Sequence, residues 1–356
     1  MSGFTILPGD FPYNDLCQIA EFLKKLDVFT PGYTSPDIGL YHPDGYIYAH
    51  HIENIRTVLL PDRNIVSRLA KIAQGELVDI HKQKAAAVLA FAQCLDIEIE
   101  PSIAFHELIP SQGNDLVLDE LSWFRTADNG DVHEWINIAL GLKDRLPAGL
   151  PTPVDAIDLT LPLRRWRRNY IAVLKIGELE LSGKSHIEKI LALLDWMYDD
   201  FILAGPAAML ACIYFAPNSP PRKNLLKQLR SQDRNKAIDG IKNAAWDVTH
   251  LSDFILKINN SLKDTEMKIN YIFATLDEGL HTIANLLLEN NNCADELATA
   301  LGKWWPSNEA KKIAQTLYGN YQKARSPYWW TKQENSPNAI PEFINNGEKT
   351  ILTWCK

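Results

Sequence analysis

Two short apolar runs constrain this chain most. Ile55-Arg56-Thr57-Val58-Leu59-Leu60 and Tyr271-Ile272-Phe273-Ala274-Thr275 are brief and rich in β-branched or aromatic residues, and an aspartate, Asp62 or Asp277, stands two residues beyond each. Runs of this kind read as strands. The sequence that separates them is helical in spacing. Asn64–Gln74 carries apolar residues at 65, 66, 69, 70, 72 and 73, Val78–Leu95 is Ala-rich, and Lys236–Ile258 and His281–Leu288 keep the same period. Ile97-Glu98-Ile99-Glu100 alternates and reads as a third strand entering Pro101, after which Ser102 opens a helix carrying Glu107. Strands separated by helices point to an α/β fold with a parallel sheet, here heavily decorated with helices.

Composition narrows the class. With 46% hydrophobic and 22% charged residues there is ample material for a core, which excludes a mainly disordered chain. Lys plus Arg total 36 against 44 Asp plus Glu, a net charge of −8, so the chain is not a globally basic nucleic-acid coat. Its five cysteines are scattered without a C-x-x-C pair, which supports neither a zinc site nor a disulfide framework and suggests a reduced, cytoplasmic setting. Residues 1–10 lack the basic start and apolar run of a signal peptide. Phe201–Ala216 is uncharged but shorter than the ~20 apolar residues of a membrane span, so a buried helix is expected and no membrane partner.

The chemistry is expected at the strand ends. In an open parallel sheet the carboxyl ends of the strands face one crevice, where ligands bind. Asp62 and Asp277 would meet there, and two carboxylates approach each other at a cost unless a cation neutralises them. Glu107 and Asp247, on predicted helices, would complete a four-carboxylate set. Oxygen ligands without Cys or His suit Mg²⁺ or Mn²⁺, and phosphodiester hydrolysis is the chemistry such a site performs.

These residues resemble a family. Leu59-Leu60-Pro61-Asp62-Arg63-Asn64-Ile65-Val66-Ser67 looks like the opening motif of PIN-like nucleases, and Ser102–Leu108 resembles their second acidic helix. Asn243-Ala244-Ala245-Trp246-Asp247 resembles the third acidic position, and Phe273–Leu280, with Thr275, Asp277 and Gly279, the fourth. The resemblance covers about 55–110 and 236–285. It implies a doubly wound parallel sheet within a PIN-like domain at 55–285, with a helical insertion at about 125–235, an N-terminal extension at 1–54 and a C-terminal extension at 286–356. It also implies a metal-dependent endoribonuclease in which Asp62, Glu107, Asp247 and Asp277 ligate Mg²⁺ or Mn²⁺, with Asn64 and Thr275 orienting carboxylates or touching phosphate. Three features depart from the pattern: Arg63 follows the first aspartate, Glu107 and Asp247 are widely separated, and Asp253 competes with Asp247 as the third acid. RNA is the expected partner, with DNA open, and toxins and processing enzymes both occur among such families. An inhibitor or a second copy of the chain therefore stays open as a partner.

Other signals bear on binding. Arg164-Arg165-Trp166-Arg167-Arg168 joins four cations to an aromatic, a combination suited to phosphate contact and base stacking. A second basic stretch, Arg222–Lys242, precedes the third acidic motif, and a solvated or acid-paired helix face explains it equally well. Gly177–Ser185 mimics a P-loop, but its glycine spacing is off by one and it carries two acids, so nucleotide binding is not expected there. The rival to catalysis is a silent, helix-rich protein that binds RNA or a partner protein through its basic and Trp-rich surfaces.

Overall fold

The computed structural model describes residues 7–35, 37–147, 149–161, 163–220, 222–263, 268–289, 293–334 and 339–355. The protein is mixed α/β with one four-stranded open sheet, and it divides into two compact units. The first comprises residues 1–161 and 253–276, the second 162–252 and 277–356.

The sheet belongs to the first unit. Its strands are β1 (Phe29–Pro31), β2 (Arg56–Pro61), β3 (Glu98–Ile99) and β4 (Ile269–Ala274), in the order β1-β4-β2-β3. β2 runs parallel to both neighbours, in register from Arg56 opposite Ile269 to Pro61 opposite Ala274 on one side and with Val58 opposite Glu98 on the other. β1 pairs antiparallel with β4, so the sheet is not uniformly parallel as expected. The parallel strands carry near-continuous apolar runs because both faces are covered. The helices of this unit are α1 (Tyr13–Leu26), α2 (Pro43–His51), α3 (Arg63–Ala73), α4 (Ile80–Cys94), α5 (Ser102–Gln112), α6 (Asn114–Asp128) and α7 (Val132–Ala139).

Local chemistry explains the helix starts. Asp62 caps α3 and Asp79 caps α4, each accepting hydrogen bonds from first-turn amides. α3 buries one stripe, Ile65, Val66, Leu69, Ala70, Ile72 and Ala73. α4 is buried all round from Ala85 to Ala92, which its short side chains permit. Residues 1–54, expected as an extension, supply α1, whose Leu16, Ile19 and Leu23 are fully buried in the core, and the edge strand β1.

The second unit is helical: α8 (Arg164–Leu181), α9 (His186–Asp199), α10 (Gly205–Tyr214), α11 (Arg222–Leu225), α12 (Arg234–Ser261), α13 (Glu278–Glu289), α14 (Ala294–Leu301), α15 (Ser307–Ala324), α16 (Pro327–Glu334) and α17 (Ala339–Leu352). From Asp253 onward α12 is assigned to the first unit. The uncharged Phe201–Ala216 run forms α10, buried from Pro206 to Tyr214, and no helix among the described residues is long and apolar enough to cross a membrane. The polar C-terminal residues are also part of this core, through Leu297, Leu301, Trp305, Ile313, Leu317 and Ile351. Trp305 donates its indole N–H to the Cys212 carbonyl at 2.7 Å, and Trp329 donates to the Tyr198 carbonyl at 2.9 Å, so one member of each Trp pair anchors the interior. The P-loop mimic is helix and cap: Gly177 lies inside α8, and Ser185 forms a capping box with Glu188 at the start of α9.

Gly240 marks a close helix–backbone approach. A Cβ placed there would overlap the Lys227 carbonyl oxygen, a backbone atom that cannot swing aside. Gly240→Ala is therefore expected to destabilise the protein by about 1–3 kcal/mol or more through overpacking, although alanine is the better helix former by ~1 kcal/mol. Chemical denaturation of the variant checks this, and a stability equal to or above wild type would contradict it.

Candidate functional site

The site begins where β2 ends. Asp62 follows Pro61, and its amide still donates to the Ala274 carbonyl at 2.9 Å, extending the β2–β4 pairing by one step. Its carboxylate is fixed at both oxygens. Oδ1 accepts the Ile65 amide at 3.0 Å, the α3 cap, and Oδ2 accepts the Thr275 hydroxyl at 2.6 Å. Thr275 is positioned in turn by its own amide, which donates to the Val28 carbonyl at 3.0 Å beside β1. Both residues are nearly inaccessible, Asp62 at 3% and Thr275 at 2% exposure. A helix cap needs only one oxygen and ordinarily sits in water. A buried carboxylate whose second oxygen is oriented by a neighbouring strand is more than a cap requires. It also lies at the carboxyl edge of the parallel strands, where open α/β sheets bind ligands.

The other expected acids are placed separately. Glu107 is half-buried in α5, which packs against α3 and buries Ala104, Phe105 and Leu108. Asn64 is exposed in the first turn of α3 and makes no side-chain hydrogen bond among the described residues, so only Thr275 of the two expected supporting groups contacts Asp62. Asp253 lies 3.8 Å from the Lys257 ammonium. In the second unit, Asp247 is half-buried on α12, and Asp277 precedes α13 and caps it, accepting the Leu280 amide at 3.0 Å. Arg63 departs from expectation. Rather than pairing with Asp62, its guanidinium makes a two-pronged ion pair with Glu120 of α6, at 2.7 and 2.9 Å.

Glu100 was missed as a site residue. It stands directly after β3, at the same carboxyl edge, and its amide donates to the Leu59 carbonyl. Lys257 reaches it at 2.7 Å. Burial pushes the Glu100 carboxyl up, but Lys257 and the Ser102 donors outweigh burial and hold it below the ordinary carboxylate range. The signal was in the sequence, since the rule that picks out Asp62, an acid just past a strand, applies equally to Glu100.

The basic knot forms the first turn of α8. Arg164, Arg167 and Arg168 are exposed, and that turn contains no acidic residue. Cations at a helix N-terminus oppose its dipole by ~0.3–1 kcal/mol each, and Arg164 and Arg168 repel each other one turn apart. Burial and then Arg164 hold the Arg168 guanidinium below its ordinary value. Trp166 does not serve as an open stacking platform. Its ring stacks on Tyr170 at 4.9 Å and packs against Trp246 at 5.3 Å. In the second basic stretch, Arg222 and Arg230 pair with Glu180, and Arg234 donates to three backbone carbonyls while lying over Trp354. The Lys223 side chain lies outside the described residues.

Comparison with family models, with curated proteins and with solved structures finds no match to this chain.

Proposed function

We propose that this protein is a metal-dependent endoribonuclease with a PIN-like α/β domain, in which Asp62, Glu107, Asp247 and Asp277 form the catalytic set. The observation that carries this reading is the Asp62–Thr275 pair: a buried carboxylate, oriented through both oxygens, at the carboxyl edge of parallel strands. An all-oxygen donor set of this kind fits a hard divalent cation. Bound Mg²⁺ or Mn²⁺ supplies charge neutralisation and water activation for phosphodiester hydrolysis. The protein's own side chains have the remaining tasks. Thr275 holds Asp62 in one rotamer, and Asp62, Glu107, Asp247 and Asp277 provide the negative charge that selects a cation. Arg164, Arg167 and Arg168 hold substrate phosphates, and a cytoplasmic setting suits an RNA substrate.

Purified protein is expected to cut single-stranded RNA with Mg²⁺ or Mn²⁺ and to stop when the metal is chelated. Cleavage that persists in excess chelator would overturn the reading. The exposed arginine turn favours a second reading, RNA binding without catalysis, which would give retained binding and no cleavage under any metal.

The arginine turn carries its own prediction. Replacing Arg164, Arg167 and Arg168 by Ala should weaken RNA binding and lower the slope of log affinity against log salt by up to about 3, one counterion per lost phosphate contact. Thermal stability should hold or rise, because the substitutions remove repulsion from a helix N-terminus. An unchanged salt slope would show that these arginines do not touch the nucleic acid.

A further inference from the structure

A second cluster of ligand-type side chains lies in the first unit, on elements that the proposed nuclease site does not use. His50 and His51 end α2, and Asp96 occupies the turn between α4 and β3. One ligand atom from each lies within 4.8 Å of the other two. The three come from chain segments far apart in sequence, so the tertiary fold brings them together. None of their side chains makes a hydrogen bond or ion pair among the described residues; the two imidazoles touch only each other, edge to face at 4.7 Å between ring centres. They have converged without satisfying one another.

We propose that His50, His51 and Asp96 form a binding site for a transition-metal ion of the Zn²⁺ class, independent of the nuclease reading. Two imidazoles and one carboxylate are borderline donors that favour Zn²⁺ over Mg²⁺ or Mn²⁺. Metal–ligand bonds of ~2.0–2.2 Å place tetrahedral donors about 3.4 Å apart, so closure from the observed spread takes a side-chain movement of roughly 1 Å. Surface side chains make that movement freely. The backbone aids the site in two ways. The histidines sit in the last turn of α2, where the helix dipole attracts a cation. Asp96 adopts a left-handed backbone, φ 51°, at a helix end where glycine is usual, and this projects a carboxylate from the turn. The cluster also borders a cavity of about 340 Å³ lined in part by Phe11, Gln93, Cys94 and Val132. Three protein ligands leave the fourth coordination position open, and the cavity gives it room for water or a small anionic ligand. Cys94 is not counted as a ligand, because burial pushes its thiol up to about 12 and disfavours the thiolate that binds metal.

Titration calorimetry of the full chain with ZnCl₂ tests the proposal. One equivalent of Zn²⁺ should bind, and His50→Ala, His51→Ala and Asp96→Ala should each weaken it at least 10-fold. His81→Ala, which alters another exposed histidine of the same unit, should leave the affinity unchanged, as should Asp62→Asn. All three ligand positions lie at the surface, so far-ultraviolet circular dichroism of the variants should match wild type. Zn²⁺ binding that is undiminished in His50→Ala and Asp96→Ala, or no binding at all to the wild-type protein, would overturn the assignment.

Discussion

Asp62→Asn should reduce RNA cleavage by at least about 100-fold while leaving the fold intact. The size follows from its place in the proposed site, since even groups that only support a metal ligand are worth ~10–100-fold. The preserved fold follows from the same geometry. Asparagine caps helices as well as aspartate does, so the Ile65 amide keeps its acceptor, and the amide oxygen can still accept the Thr275 hydroxyl. Only the charge is lost. Thr275→Val removes the orienting hydroxyl without touching that charge and should lower cleavage by ~10–100-fold. Cleavage rates with thermal melts on the same samples decide the matter. A purely structural Asp62 would leave cleavage unaltered in Asp62→Asn.

The largest effect on stability is expected at Glu180. Its carboxylate, 2% exposed, receives the Lys189 ammonium at 2.8 Å and the Arg222 and Arg230 guanidiniums at 2.7 and 2.9 Å. Lys189 is itself only 8% exposed, whereas Arg230 is more than half in solvent and gains little from the contact. Glu180→Ala leaves the lysine charge buried without its partner, which costs ~3–5 kcal/mol and should lower Tm by on the order of 10 °C. Replacing Glu180 and Lys189 together by apolar residues should recover much of the loss, because paired removal leaves no orphaned charge. The pH dependence has a definite sign. Burial raises the Glu180 carboxyl, but its three cations outweigh burial and hold it below the ordinary carboxylate value. The pair's contribution is thus complete above the unfolded-state value of ~4.3 and is lost as pH falls through the lower folded-state value. Acid titration of stability should be flatter in Glu180→Ala than in wild type, and equal slopes would contradict the assignment.

What could be read in the sequence was local. β2, β4 and α3 are apolar runs or stripes that any context would use alike, and Asp62 stands where a strand gives way to a helix. β1 could not be read, because Phe29-Thr30-Pro31 is three residues long and becomes a strand only by pairing with β4. Arg63 looked like a neighbour of Asp62, yet Glu120, distant in sequence, claims it. Trp166 and the arginines at 222 and 230 suggested a nucleic-acid surface from composition alone. Their partners Trp246 and Glu180 come from elsewhere in the chain. The interleaving of the two units has the same cause. Residues 253–276 rejoin the first unit because β4 completes its sheet, a long-range pairing that no local pattern records.

Crystals soaked in Mn²⁺ and measured for anomalous scattering test the central claim most directly. A peak within about 2.0–2.3 Å of an Asp62 carboxylate oxygen is the expected result. At saturating Mn²⁺, electron density around Asp62 containing only its protein partners and no anomalous peak would contradict it.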